Sequence, residues 1–174
     1  MPETKKVSKR QRGRSDMRAI AKVSMGQILG LVEAVDEVSG SADAATIAQE
    51  VEMDVAALGP IIGAAEFLGL VEVKDGDLVN TDLADRLLAA TSLERRTIIR
   101  DIIDEVPVFR QVTDMARAAG RALSREEIVE TLTAIVGSHQ AGDIFDALVY
   151  WGRYVRMVIY DSQSEMFVIQ PPST

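Results

Sequence analysis

Few side chains in this 174-residue chain are of a type and spacing that could do chemistry. There is no cysteine, which excludes a thiol nucleophile, a thiolate metal site and a disulfide framework together. The single histidine, His139, falls at a helix start without a partner spaced to make it a catalytic base or a metal ligand, and it is expected in solvent. No glycine-rich run ends in Gly-Lys-Ser or Gly-Lys-Thr, so nothing matches a phosphate-binding loop of that type and ATP hydrolysis by this chain is not expected. The acids fall at helix starts and on outward faces, and no pair of carboxylates is singled out for acid–base work. These absences lead to an expectation of no catalytic residue, no cofactor, no metal and no enzymatic activity.

The densest group of unusual residues is Trp151-Gly152-Arg153-Tyr154, with Arg156 just after it. In the structural reading Trp151 and Tyr154 anchor a helix to the strand that follows. In the functional reading Trp151, Arg153, Tyr154 and Arg156 form a partner or ligand surface. The structural role is the stronger of the two, and these four residues are the candidate surface.

The elements that hold this group can be read from spacing and caps. Order should begin near Ser24, where Ile28, Leu31, Val32 and Val35 recur at helical spacing up to Ser39-Gly40. Ser41 or Asp43 can cap a short second helix, and Asp54 a third that Pro60 should bend or delay. Strands then flank Asp75-Gly76, a strong hairpin signal. The second half has Thr81 and Ser92 as caps and Leu93, Ile98, Ile99, Ile102 and Ile103 as one apolar stripe. Pro107 fits a first turn, Ser124 with Glu127 makes a capping box, and Ser138 caps a last helix to about Gly152. A second hairpin, residues 154–160 and 165–169, flanks 161–164. In both halves a helix ends on an aromatic and a bulky residue before glycine: Phe67-Leu68-Gly69 and Tyr150-Trp151-Gly152. A left-handed glycine is expected to reverse the chain at each.

The fold class expected is mainly α with two small β-hairpins, as tandem winged-helix-like units. The divisions are 1–16 (a disordered basic tail), 17–80 (first unit), 81–170 (second, larger unit) and 171–174 (tail). Winged helices often bind DNA through the third helix, with cations on the phosphates. Here residues 55–68 contain no Lys, Arg, Asn or Gln, and residues 139–151 carry only Asp143 and Asp146 as charges. DNA affinity rests largely on counterion release by cations, so the first unit should not bind DNA this way.

The net charge of −8 is uneven. The first 15 residues hold six basic residues against Glu3, a net of +5, which leaves −13 on the other 159. Residues 23–73 carry nine acids and neither Lys nor Arg. No apolar run approaches the roughly 18 residues of a membrane span, and the charged N-terminus is not a secretory signal. A cytoplasmic location is the expectation.

Several short stretches resemble the AAA-associated C-terminal domain, the segment after the ATPase domain in ABC-importer subunits of the nitrate/sulfonate/bicarbonate class. They are Met25-Gly26-Gln27-Ile28-Leu29-Gly30-Leu31-Val32-Glu33, Ala64-Ala65-Glu66-Phe67-Leu68-Gly69-Leu70-Val71, Asn80-Thr81-Asp82-Leu83-Ala84, Glu105-Val106-Pro107, Trp151-Gly152-Arg153-Tyr154 and Tyr160-Asp161. The resemblance runs from about residue 24 to 169 and implies a regulatory or accessory module on the cytoplasmic side of a transporter, without catalytic residues of its own. These 174 residues hold no ATPase domain, so the resemblance implies action on an ATPase in trans, or another job. The expected partners are a transporter ATPase subunit or a second copy of the chain, joined through residues 92–105 and 107–119, with a small effector as a further ligand. The alternative is a winged-helix transcription regulator using the basic tail and the Arg153/Arg156 wing; nucleic acid is otherwise expected only nonspecifically, on the tail.

Overall fold

Local capping chemistry sets most of the helix starts. The computed structural model describes residues 17–172; the tail expected at 1–16 and the last two residues of the tail expected at 171–174 lie outside them. A four-residue helix, α1 (Met17–Ile20), precedes α2 (Met25–Glu37). Ser24 opens α2 with a full capping box, its Oγ accepting the Gln27 N–H at 3.1 Å while Gln27 Oε1 accepts the Ser24 N–H at 2.9 Å. Order therefore begins by Met17, earlier than the apolar periodicity indicates. Four residues carry no period, but Met17 and Ile20 are buried against later helices.

Strand β1 (Ser41–Asp43) leads into α3 (Ala44–Glu50), and of the two candidate caps it is Asp43 that accepts the Thr46 N–H, at 2.7 Å. Helix α4 (Val55–Phe67) begins directly after Asp54, whose Oδ1 accepts the Ala56 N–H at 2.8 Å. Pro60 does not delay it. The proline forfeits one ladder bond, at a half-buried position bordering a groove. β2 (Val71–Lys74) and β3 (Asp77–Asn80) form the hairpin, with Asp75 at φ 51° and Gly76 at φ 89°, the two positive angles of a type I′ turn. The three strands lie antiparallel in the order β1-β3-β2.

Two connecting helices follow, α5 (Asp82–Ala89) and α6 (Ser92–Glu105). The cap of α6 is Thr91, not Ser92: Thr91 Oγ1 accepts the Glu94 N–H and Glu94 Oε2 accepts the Thr91 N–H at 2.8 Å. Of the expected apolar stripe, Ile99, Ile102 and Ile103 are buried and Ile98 half-buried, but Leu93 is 76% exposed.

After α6 the order of the first half returns: α7 (Pro107–Ala119), β4 (Leu123–Ser124), α8 (Arg125–Val136), α9 (Ser138–Tyr154), β5 (Val158–Asp161) and β6 (Met166–Ile169). The second sheet, in the order β4-β6-β5, repeats the first strand for strand. Both are the α-β-α-α-β-β series, with α5 and α6 between them. The protein is thus mainly α with two small antiparallel sheets. Helix α9 starts from Gly137, at φ 90°, and Ser138 lies inside it without capping; a single residue joins α8 to α9, and only glycine takes that angle cheaply.

The repeat also corrects the register of the glycine endings. Gly69, at φ 73°, is left-handed and lets Leu70 N–H reach Ala65 C=O at 2.9 Å. In the second half α9 continues through Gly152 to Tyr154, and the left-handed residue is Arg156, at φ 56°. The matching bond runs from Met157 N–H to Gly152 C=O at 2.8 Å. Gly152 thus corresponds to Ala65, and Gly69 to Arg156. Gly152 is required for closeness: a Cβ there would stand 2.5 Å from Val158 Cγ2.

One continuous core joins the halves. Its centre is an aromatic trio from three helices, Phe67 (α4), Phe109 (α7) and Trp151 (α9), with centroids 5.7–6.0 Å apart. Such contacts contribute about 0.5–1.5 kcal/mol each beyond area burial. Trp151 Nε1–H donates to Val23 C=O at 2.9 Å, tying α9 to the chain between α1 and α2.

Candidate functional site

The candidate surface is built where α9 ends, β5 begins and the C-terminal segment returns past α6. Helix α9 needs a tight exit to bring β5 back against it. The left-handed Arg156 and the missing Cβ of Gly152 together provide that exit.

The structure separates the four candidate residues. Trp151 is wholly buried and belongs to the core, so it contributes no surface. Arg153 is exposed but committed: its guanidinium donates to the Tyr160 carbonyl and lies 5.7 Å from the Tyr160 ring centroid. Tyr160 sits on β5, the free edge of its sheet, so Arg153 covers part of an otherwise unpaired edge. Tyr154 is 48% exposed, one turn after the similarly exposed Tyr150. Arg156, two residues past Tyr154, is exposed and left-handed, at φ 56°.

Arg156 borders a cavity of about 240 Å³ together with Arg96 and Arg100 of α6, Thr97, Asp101 and Pro172. Arg96 and Arg100 are one turn apart and so share a face of α6. Arg100 is half-buried and donates to Gln170 C=O, which holds the C-terminal segment across α6. Burial, and then the neighbouring Arg117, lower its pKa from the ordinary guanidinium value. Among the described residues neither Arg96 nor Arg156 has an ion pair or a side-chain hydrogen bond; the pairs formed elsewhere are Lys74–Glu72, Arg95–Glu33, Arg117 with Asp104 and Asp114, and Arg121–Glu127. Holding a non-glycine residue left-handed costs roughly 1–2 kcal/mol.

A wider recess of about 580 Å³ lies on the other side of Leu93, between α5 and α6, walled by Arg86, Ala89, Ala90, Glu94 and Ile98. Leu93 and Thr97 border both. The reading of the residues missed this region. Leu93 counts as a stripe position by spacing, and Arg96 and Arg100 look like ordinary helix charges until the chain end and Arg156 are placed beside them.

Other candidates fare as follows. A groove of about 430 Å³ between α1 and α4 is bordered by Arg18, Lys22, Gln27, Ala57 and Pro60. Glu66, beside it, has its carboxyl pKa raised by burial. His139 is exposed. Among the described residues no group of three or more His, Cys, Asp or Glu is placed to hold a metal ion. No helix among them is long and apolar enough to cross a membrane. The apolar faces of α6 and α7, offered above as a dimer contact, are spent inside the chain, with Ile99, Ile102, Ile103, Phe109 and Val112 all buried.

Several stretches that carry the family resemblance acquire a physical reason. Thr81 Oγ1 donates to Gly69 C=O at 2.7 Å and accepts the Ala84 N–H at 3.3 Å, joining the α4 exit to the α5 start. Asn80 Nδ2 donates to Val32 C=O at 2.9 Å, tying the hairpin to α2. Val106 is extended before Pro107, as a residue preceding proline must be, and so ends α6 and opens α7 at once. No curated protein and no solved structure matches the chain. The sequence profile of the C-terminal AAA-associated domain does match, over residues 45–161. That span leaves out the Met25–Glu33 stretch but includes α3 through β5, with Arg96, Arg100 and the whole α9 exit, and by it the chain belongs to the C-terminal AAA-associated domain family.

Proposed function

We propose that the chain is a non-enzymatic accessory module that regulates a transporter ATPase, by docking on it or by binding a small effector. Membership of the C-terminal AAA-associated domain family carries this reading, because the family name ties the domain to ATPases. The reading holds whether the ATPase sits on the same polypeptide or on another. It locates the chain on the cytoplasmic face of an importer of the nitrate/sulfonate/bicarbonate class. What favours a binding role over catalysis is the character of the surface: exposed tyrosines, an exposed leucine and unpaired arginines, with His139 isolated in solvent.

The test is affinity capture from native extract at low and at moderate salt, with the bound proteins identified by mass spectrometry. Recovery of an importer ATPase supports the reading; recovery of no transporter subunit at either salt sinks it. The transcription-regulator reading rests on the basic tail, which lies outside the described residues, and on the Arg153/Arg156 wing, with no cationic recognition helix to support it. The exposed part of α4 is Val55, Ala56, Ala57, Gly59 and Glu66, and Arg153 on α9 is engaged with Tyr160. Sequence-specific gel shifts that persist near physiological salt would favour it.

A further inference from the structure

The pocket between α6 and the α9 exit is cationic in a body that is strongly acidic. Three guanidinium groups border it, from Arg96, Arg100 and Arg156, against one carboxylate, that of Asp101. The remainder of the chain beyond its first 15 residues carries −13, so acids were available to pair with these arginines, yet Arg96 and Arg156 have no acid partner among the described residues. Three arginines elsewhere are ion-paired, Arg95, Arg117 and Arg121, while Arg86, Arg110, Arg125 and Arg153 form no ion pair among the described residues. What sets Arg96, Arg100 and Arg156 apart is that they border one pocket together.

The position of Arg156 adds a second observation. In the first repeat the equivalent left-handed site is Gly69, the residue that takes this conformation without penalty. The second repeat keeps an arginine there, at φ 56°, and the side chain so placed borders the pocket. Arg100, held by Gln170 C=O, fixes the C-terminal segment so that Pro172 forms a wall. The floor is apolar, with Val155 buried beneath, and Thr97 adds a hydroxyl donor. Guanidinium groups present planar forks of donors that match tetrahedral oxyanions, and they remain charged at any physiological pH.

We propose that the pocket formed by Arg96, Thr97, Arg100 and Arg156 binds a phosphate-type oxyanion, free or as the phosphate group of a small ester. Its volume of about 240 Å³ is below the roughly 300–1,000 Å³ of sites for drug-sized ligands, which limits the ester to a few carbons. The inference rests on the effector limb of the proposed function and gives it a chemistry. It is independent of the docking limb, since the measurement needs the chain alone.

The experiment is a titration of the full chain, followed by NMR at backbone and arginine side-chain N–H groups, with inorganic phosphate in one arm and glycerol phosphate in another. Chloride at equal ionic strength is the control. Saturable shifts centred on Arg96, Thr97, Arg100 and Arg156 are expected in at least one phosphate arm, and the arm that binds tighter identifies the source. Arg156→Gly is the decisive variant, because glycine suits the left-handed backbone. It should weaken binding about tenfold or more while the melting temperature in chloride stays level or rises. Arg86→Gln, a cation outside the pocket, should bind as the wild type does. Shifts that track ionic strength and spread to Arg110 and Arg121, or an Arg156→Gly protein that binds unchanged, would overturn the site. Failure here, alongside successful ATPase capture, would leave the docking limb standing.

Discussion

The two repeats share a topology down to the strand order and the hydrogen bond that closes the helix exit, yet they differ in what they place on it. The first exit is Leu68-Gly69-Leu70 and the second Val155-Arg156-Met157. The first hairpin exposes Glu72 and Lys74, paired at 2.8 Å, along its edge strand β2. The second exposes Ile159 and Val168, a cross-strand pair, and covers its edge with Arg153. The third helix of the first repeat shows small apolar residues to solvent, whereas α9 shows Tyr150, Arg153 and Tyr154. A backbone repeated twice thus exposes small apolar residues on the third helix of one copy and tyrosines and an arginine on that of the other. The proposed pocket takes Arg156 from the second copy and Arg96, Thr97 and Arg100 from the connecting helix α6, and nothing from the first.

The comparison breaks most completely if the halves do not depend on one another. Trp151 supplies the aromatic contacts to Phe67 and Phe109 and the bond to Val23, so Trp151→Ala should cost about 3–5 kcal/mol in urea unfolding. A single cooperative transition should persist in the wild type. If the wild type itself unfolds in two steps, the repeats are separable units and the shared core does not couple them; two steps in the variant alone would show that Trp151 is what couples them.

The next effect distinguishes two glycines that look alike in the sequence. Gly152→Ala must push a Cβ into Val158, 2.5 Å away at Cγ2, and should cost about 1–3 kcal/mol. Combining it with Val158→Ala should recover part of that loss in a double-mutant cycle. Gly69 has open space around it and only its φ of 73° to defend, so Gly69→Ala should cost roughly 1–2 kcal/mol, with no rescue from any neighbour. Arg156→Gly should move the other way, gaining up to about 1 kcal/mol. Equal behaviour of Gly69 and Gly152 would restore the register read from sequence, in which the two glycines are counterparts.

How much of this was legible in the sequence follows from how far apart the responsible groups lie. Caps and turns act over two to four residues, and Ser24, Asp43, Asp54, Thr81, Ser124 and Asp75-Gly76 all do locally what their types suggest. The one-residue errors, Ser92 for Thr91 and Ser138 for Gly137, come from adjacent hydroxyls or from a turn whose tightness is set by its neighbours. Glu94, three residues past Thr91, was the signal that would have chosen correctly. The α9 exit was displaced by a turn because a glycine can serve a left-handed angle or a close approach, and sequence does not say which. The candidate site was half legible. Arg153, Tyr154 and Arg156 stood out in the sequence, but Arg96 and Arg100 lie more than fifty residues away and become partners only when Arg100 pins Gln170.

The smallest effect compares the corresponding helix starts α3 and α8. In the first repeat the cap is itself a carboxylate, Asp43, whose pKa is lowered by the Thr46 backbone N–H. In the second the cap is Ser124, and the carboxylate is Glu127, pulled down to about 2 chiefly by Arg121 and then by the Ser124 N–H. Both pKa values are depressed on folding, so both groups stabilise the fold above their unfolded values of 3.8 and 4.5. That contribution is lost as pH falls through the folded value, near 2 for Glu127. Asparagine caps about as well as aspartate, so Asp43→Asn removes the charge and spares the cap; Glu127→Gln does the same for the box. Each variant should melt slightly below wild type near neutral pH, and the gap should close as pH falls from about 5 towards 2. Salt separates them: at about 1 M the Glu127→Gln gap should shrink, because an exposed ion pair is screened, while the Asp43→Asn gap, resting on backbone bonds, should change less. A Glu127→Gln gap that ignores salt would mean that Ser124, not Arg121, holds the carboxylate, and the two starts would then be the same device built from different residues.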